Sequence, residues 1–207
     1  MRIALFSDVH ADLHALHDAL SRIDALRCDL IVCAGDLVDY GLFPEETLEL
    51  LAARKIPCIR GNHDRWAPTG DAMATTELPR AARRWMQSQP THWSQTIEGL
   101  RVAVHHAAPE SDMHGLMPEE LDTQQVREAL DVATADILIV GHTHVPMDIE
   151  LRGRGRILNP GALLRDPAVP GEVPTPGTFG VLDLPSGEFQ VLRAKDGERM
   201  PIATRKL

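Results

Sequence analysis

Five apolar runs in this chain each end in a carboxylate, an amide or an imidazole. Arg2 to Phe6 runs into Ser7-Asp8-Val9-His10, and Leu30 to Ala34 into Gly35-Asp36. Ile56 to Ile59 runs into Arg60-Gly61-Asn62-His63-Asp64, Leu100 onward into His105-His106, and Ile137 to Val140 into Gly141-His142-Thr143-His144. Continuous apolar runs of this length suit strands covered on both faces. Helical stretches separate the first three. Leu13 to Leu26 follows a cap at Asp12 and puts Leu13, Leu16 and Leu20 on one face. Glu45 to Arg54 has Pro44 near its first turn. Strand, helix, strand, helix, strand predicts an α/β fold, with any ligand held at the carboxyl ends of the strands.

The rest of the chain reads in the same manner. Arg65 to Gln89 interrupts the alternation. Leu78 to Met86 predicts an amphipathic surface helix with Trp85 in the core, in preference to a lid carrying Arg80, Arg83 and Arg84. Trp66 is read as a packing residue rather than a stacking platform. His92 to Ile97 and Leu100 to His106 predict antiparallel strands around Glu98-Gly99, and Pro118 to Asp131 a further helix. Met147 to Leu151 and Arg156 to Leu158 predict a hairpin, and Thr178 to Leu184 with Glu188 to Ala194 a closing one. Asp166 to Thr178, rich in proline and glycine, predicts a surface flap. The last dozen residues predict no element. No repeat or linker divides residues 1–207, so one domain is expected.

Thirty acidic residues stand against 21 basic ones, a formal net charge of −9. That argues against extended nucleic-acid binding or an anionic membrane partner. An anionic substrate stays open, because bound divalent cations would reverse the local sign. Cys28, Cys33 and Cys58 sit in or beside apolar runs with no Cys-x-x-Cys pair, which suits buried thiols in a reducing compartment. The apolar stretch after Met1 is too short for a signal sequence or a membrane span. A cytoplasmic protein is expected.

The strand-end groups are Asp8, His10, Asp36, Asn62, His63, His106, His142 and His144. Oxygen and imidazole donors without thiolate suit manganese, iron(II), zinc, nickel or cobalt. They suffice for two divalent ions, with Asp36 as the bridge, and two-metal sites serve in-line displacement at phosphorus. Asn62 offers a carbonyl oxygen, His63 a proton, and Asp64 a carboxylate to orient that histidine. His14 and His17, on the first helix, are read as ordinary histidines. Of His105 and His106 only one should reach the site, since neighbours on a strand point to opposite faces. Alternation from Val102 and Val104 does not decide between them.

Asp8-Val9-His10, Gly35-Asp36, Gly61-Asn62-His63-Asp64, His106-Ala107-Ala108-Pro109 and Gly141-His142-Thr143-His144 together resemble the calcineurin-like metallophosphoesterases, in the family's order across most of the chain. Gly35 to Gly41 and Asn159-Pro160-Gly161 look like its small bacterial and archaeal phosphodiesterase branch. The resemblance implies a four-layer α/β/β/α sandwich. It implies one ion held by Asp8, His10, Asp36 and His144, and a second by Asp36, Asn62, His106 and His142. Family members carry proline three residues after the ligand histidine, and Pro109 stands three after His106, which favours His106 over His105. The chain departs from the family pattern at Ala11, Asp12 and Ala107. The expected activity is hydrolysis of phosphodiester bonds, in a nucleotide or another small phosphate ester, by a metal-activated hydroxide. His63 is expected as general acid or charge stabiliser, with Asp64 fixing its ring. The alternatives are a phosphomonoesterase, a serine/threonine protein phosphatase, or a metal-binding scaffold without turnover.

Overall fold

Residues 1–67, 78–165 and 175–207 are described by the structure, a computed structural model. Their elements are β1 Arg2–Phe6, α1 Leu13–Leu26, β2 Leu30–Cys33, α2 Pro44–Ala53, α3 Asn62–Trp66, α4 Arg80–Ser88, β3 His92–Ile97 and β4 Leu100–His105. After these come α5 Thr123–Val132, β5 Ile137–Ile139, β6 Met147–Leu151, β7 Gly155–Asn159, β8 Thr178–Asp183, β9 Glu188–Arg193 and β10 Ala203–Lys206. The strands form a four-stranded sheet, ordered β2-β1-β8-β9, and a six-stranded sheet, ordered β10-β6-β7-β5-β4-β3.

Three apolar layers hold four structural layers together. Leu16, Leu20 and Ile23 of α1, Leu48 and Leu51 of α2 and Met86 of α4 cover the outer face of the first sheet through Ala4, Phe6 and Phe179. Ile3, Leu5, Val32, Val104, Ile139, Leu158 and Leu182 fill the space between the sheets. Val126 and Leu130 of α5 cover the second sheet through Leu138, Ile149 and Ile157. The buried strands are apolar on both faces because each face meets another layer. This is the α/β/β/α sandwich. Among the described residues, no helix is long and apolar enough to cross a membrane.

Several boundaries differ from the sequence reading. The run Ile56 to Ile59 is not a full strand. It lies along β2 through Cys33 N–H to Pro57 O, 2.9 Å, and Ile59 N–H to Cys33 O, 3.1 Å. Only Cys33 and Cys58 form a bridge; Pro57 has no N–H to extend the ladder. Helix α5 begins at Thr123, not Pro118. Asp122 and Gln125 cap it reciprocally, with Gln125 N–H to Asp122 Oδ1 at 2.8 Å and Asp122 N–H to Gln125 Oε1 at 2.9 Å. Pro79 precedes α4, which starts two residues later than expected. The chain end supplies β10, paired parallel with β6, where no element was expected. Residues 166–174 of the expected flap, and residues 68–77 of the segment before α4, lie outside the described residues.

Candidate metal centre

The candidate residues gather where β1, β2, β4 and β5 end. Their backbone there is not extended. Asp8, His10, Asp36, His142 and His144 all have positive φ, between 46° and 66°. Asp8 and His10 therefore reach one site by tight left-handed turns, not by the alternation of a continuing strand. Such conformations cost on the order of 1 kcal/mol or more per residue and persist only when the surroundings impose them. Two close approaches help to impose them. A Cβ at Gly61 would collide with the Asp36 carboxylate, and one at Gly141 with Ser7 Oγ and Asp8. Only glycine lets these loops pass under the carboxylates.

Two groups of donors result. Asp8, His10 and His144 form one, and Asp36, His106 and His142 the other, with donor atoms within 4.8 Å of one another in each; His10, Asp36 and His63 form a third such set, which overlaps both. Asp36 lies between them: Oδ2 is 3.7 Å from His10 Nε2 and 3.1 Å from His106 Nε2. Asn62 Oδ1 lies 3.0 Å from His106 Nε2 and 3.1 Å from His142 Nδ1. The structure thus places every residue of the two expected ligand sets at this one edge. His106 enters the cluster. His105 turns away and stacks on His92, with ring centroids 5.4 Å apart and planes at 9°.

Outer contacts orient the rings. His106 Nδ1 faces Ala34 O at 2.8 Å, and His10 Nδ1 faces Val38 O at 3.2 Å. A carbonyl accepts only from N–H, so each Nδ1 holds a proton and each Nε2 faces inward, where a metal ion would displace any proton it carries. His142 N–H donates to Asp8 Oδ2 at 3.0 Å, and His63 N–H to Asp36 Oδ1 at 2.9 Å, fixing both carboxylates.

His63 and Asp64 differ from expectation. Asp64 does not touch the His63 ring. Its carboxylate accepts the N–H groups of Leu37 at 2.8 Å, Gly61 at 2.9 Å and Val38 at 3.3 Å, tying two loops together. The reason is α3: with the motif helical from Asn62, Asp64 is the third residue of the first turn and folds back on the residue before the helix. The carboxylate on His63 is Asp39, whose Oδ2 lies 2.7 Å from Nδ1. Asp39 is the residue the sequence reading missed. Its signal was present, a second acid three residues after Asp36 in the same post-strand turn. Tyr40 Oη lies 3.4 Å from His63 Nε2, and Trp66 sets its ring edge-on to His63, with centroids 5.0 Å apart.

The charges at this edge are unusual for a protein interior. Asp8, Asp36, Asp39 and Asp64 are each at most 2% exposed. Among the described residues none of them pairs with arginine or lysine; the ion pairs of Asp8, Asp36 and Asp39 are all with histidines. Burial opposes charge on Asp36, but His106, His10 and His63 outweigh it and hold the carboxyl below its usual range. Burial likewise opposes charge on His106, and Asp36 and Asp8 push its pKa up to about 10. Burial pulls His10 down to about 4. On His63 burial is outweighed by the Asp39 bond and by Asp36, and the pKa is raised. Asp8 Oδ1 is buried with no geometric hydrogen-bond partner, and His144 Nε2 lies 3.3 Å away as an ion pair. Buried carboxylates without arginine or lysine, an orphaned carboxylate oxygen and inward-facing imidazole nitrogens fit divalent metal ions.

Comparison with known proteins agrees with this geometry. A family profile described as the calcineurin-like phosphoesterase superfamily domain matches residues 1–187. A probable metallophosphoesterase of Methanothermobacter thermautotrophicus is 34% identical over 174 residues, 82% of this chain and 83% of that one. An uncharacterized protein of Methanocaldococcus jannaschii is 27% identical over 157 residues, 70% of this chain; the match spans 63% of that protein's length. Among solved structures, a metallophosphoesterase from Sphaerobacter thermophilus superposes with a TM-score of 0.72 at 24% identity, covering 98% of this chain and 89% of that one.

Proposed function

This chain belongs to the calcineurin-like phosphoesterase superfamily, and we propose that it hydrolyses phosphodiester bonds with two divalent metal ions. The observation that carries the reading is the pair of donor groups joined through Asp36. Asp8, His10, Asp36 and His144 would hold one ion, and Asp36, Asn62, His106 and His142 the other. Divalent cations there would activate a water for attack on phosphorus and neutralise phosphoryl oxygens.

The chain's own groups set the remaining chemistry. Asp39 takes the Nδ1–H of His63 and leaves Nε2 to hold a proton on the side of Tyr40. His63 is therefore the general acid for the leaving oxygen, and Asp39 its positioning residue. Asp64 is assigned to loop geometry. Gly35 to Gly41 and Asn159-Pro160-Gly161, which resemble the small phosphodiesterase branch, favour a diester over a monoester. The three free thiols, Cys28, Cys33 and Cys58, suit a cytoplasmic setting.

Turnover of bis-p-nitrophenyl phosphate and p-nitrophenyl phosphate by manganese-loaded protein tests the reading. The diester should show the higher kcat/KM, and chelation should remove activity that manganese restores. A higher kcat/KM for the monoester would make this a phosphomonoesterase. Metal binding without turnover of either would leave a scaffold.

A further inference from the structure

A cleft of about 260 Å³ opens beside the metal centre, from Gly61 and His106 outward past Pro109 to Asp112. The reading above does not use it. Arg60 and Arg65 both line it. Arg65 is already engaged, in a fork with Asp112 at 2.7 and 3.0 Å. Arg60 is not. Its backbone N–H donates to Pro90 O at 2.8 Å, which fixes the chain. Its guanidinium has no ion pair or hydrogen bond among the described residues, and its Nε is buried without a partner.

Arg60 is half-buried; its guanidinium stays charged at any ordinary pH, and burying its Nε without a partner is unfavourable. Its planar fork matches a phosphate or carboxylate. The other charges on the cleft do not neutralise it. Asp112 is held by Arg65, and Glu110 is exposed at the rim. The stacked pair His92 and His105 also lines the cleft. Arg60 is also close to the centre. It precedes Asn62 by two residues, so their Cα atoms are at most about 7 Å apart.

We propose that this cleft is an anion subsite in which Arg60 binds a second phosphate of the same substrate. The substrate class is then a phosphate ester with another phosphate about one sugar away, as in a nucleoside 3′,5′-bisphosphate unit. The proposal rests on a phosphate ester occupying the metal centre.

Calorimetric titration of manganese-loaded protein with thymidine 5′-monophosphate and thymidine 3′,5′-bisphosphate tests it. The bisphosphate should bind roughly tenfold tighter or more, the range of a charge-assisted contact. Arg60→Gln should bring the two affinities to within about twofold. Arg60→Lys should keep part of the preference, since it retains the charge but loses the fork. Equal wild-type affinities would overturn the subsite, and so would a full preference surviving in Arg60→Gln. The binding ratio needs no turnover. A preparation that keeps the ratio but does not cleave bis-p-nitrophenyl phosphate would therefore count against the diesterase reading alone.

Discussion

At the edge where β1, β2, β4 and β5 end, four aspartates are buried and meet only histidines and backbone N–H groups among the described residues. At the opposite edge three part-exposed aspartates are each forked by an arginine. Arg2 grips Asp183 at 2.9 and 3.0 Å, Arg101 grips Asp136 at 3.1 and 2.7 Å, and Arg156 pairs with Asp148. The same sheets thus carry acids under two regimes. Fork-paired acids are complete, and exposed pairs of this kind contribute little to stability. Buried acids met only by histidines hold protons on those rings in the metal-free protein, and a divalent ion would replace them. The partner of a carboxylate, more than its presence, separates a site from a surface.

The sharpest way to break this comparison is Asp36→Asn, which keeps the shape and removes the shared charge. Metal affinity should fall by more than about 100-fold, beyond the usual loss for an outer-shell partner, and turnover should fall to background. Metal-free Asp36→Asn should unfold at a lower temperature than metal-free wild type near pH 7, because buried His106 loses the carboxylate that holds its proton. Added manganese should stabilise wild type and leave the variant unmoved. Metal analysis after dialysis, with thermal unfolding, checks both; a variant that keeps two ions would remove Asp36 from the bridge.

Next in size is the pair His63 and Asp39. His63→Ala should keep both ions and lose on the order of 10²–10⁴ in kcat, the range of a positioned acid. Asp39→Asn should lose less, because the ring remains. Burial lowers the His63 pKa, and the Asp39 bond is the largest of the effects that outweigh it. An acid must be protonated to act, so activity falls as pH rises through its pKa. Removing Asp39 lowers that pKa, and the alkaline limb should move to lower pH. Asp64→Asn should move the limb less, since Asp64 is the smallest of those effects, and should lower thermal stability. A limb that moves with Asp64 and not with Asp39 would reverse the two roles.

The fold was legible because every layer is apolar. Leu13–Leu26 and Arg2–Phe6 occupy the ranges that periodicity gave them. What escaped was decided by single polar contacts. The Asp122 and Gln125 bonds moved the start of α5, and the missing donor of Pro57 cut a strand to one bridge. The grouping of the site residues was legible for a similar reason, since each one ends an apolar run. Asp39 was not, because its contact with His63 depends on where two loops converge. Asp64 misled because adjacency in sequence resembles adjacency in space until α3 turns it away.

His105 offers a smaller effect at the site edge. Burial, then His92, pushes its pKa down to about 4, so the folded chain prefers the neutral ring. The unfolded chain takes a proton near pH 6.5. Stability is therefore present above that value and lost as pH falls from 6.5 toward 4. His105→Phe keeps a flat ring without the proton. Between pH 7 and pH 5 wild type should lose about 1 kcal/mol more than this variant, roughly 2–4 °C in Tm. Parallel losses in the two proteins would show that His105 does not titrate in this window.

The smallest effect belongs to the opposite edge, and it tests whether a fork-paired acid is as complete as its geometry suggests. Asp136 accepts the Arg101 N–H at 2.9 Å as well as its guanidinium. The Arg101 side chain holds its pKa down to about 2. A depressed carboxyl pKa gives stability that is full above about pH 4 and lost as pH falls through 2, a window well below that of His105. The carboxylate is exposed enough for solvent to screen most of the attraction. Asp136→Asn should therefore cost only about 0.2–1 kcal/mol at pH 7, and less in high salt. The difference from wild type should hold from pH 7 to pH 5 and vanish near pH 2. Metal content and turnover should not change. If this substitution lowered metal content, the two edges would be coupled, and the separation between paired and waiting acids would fail.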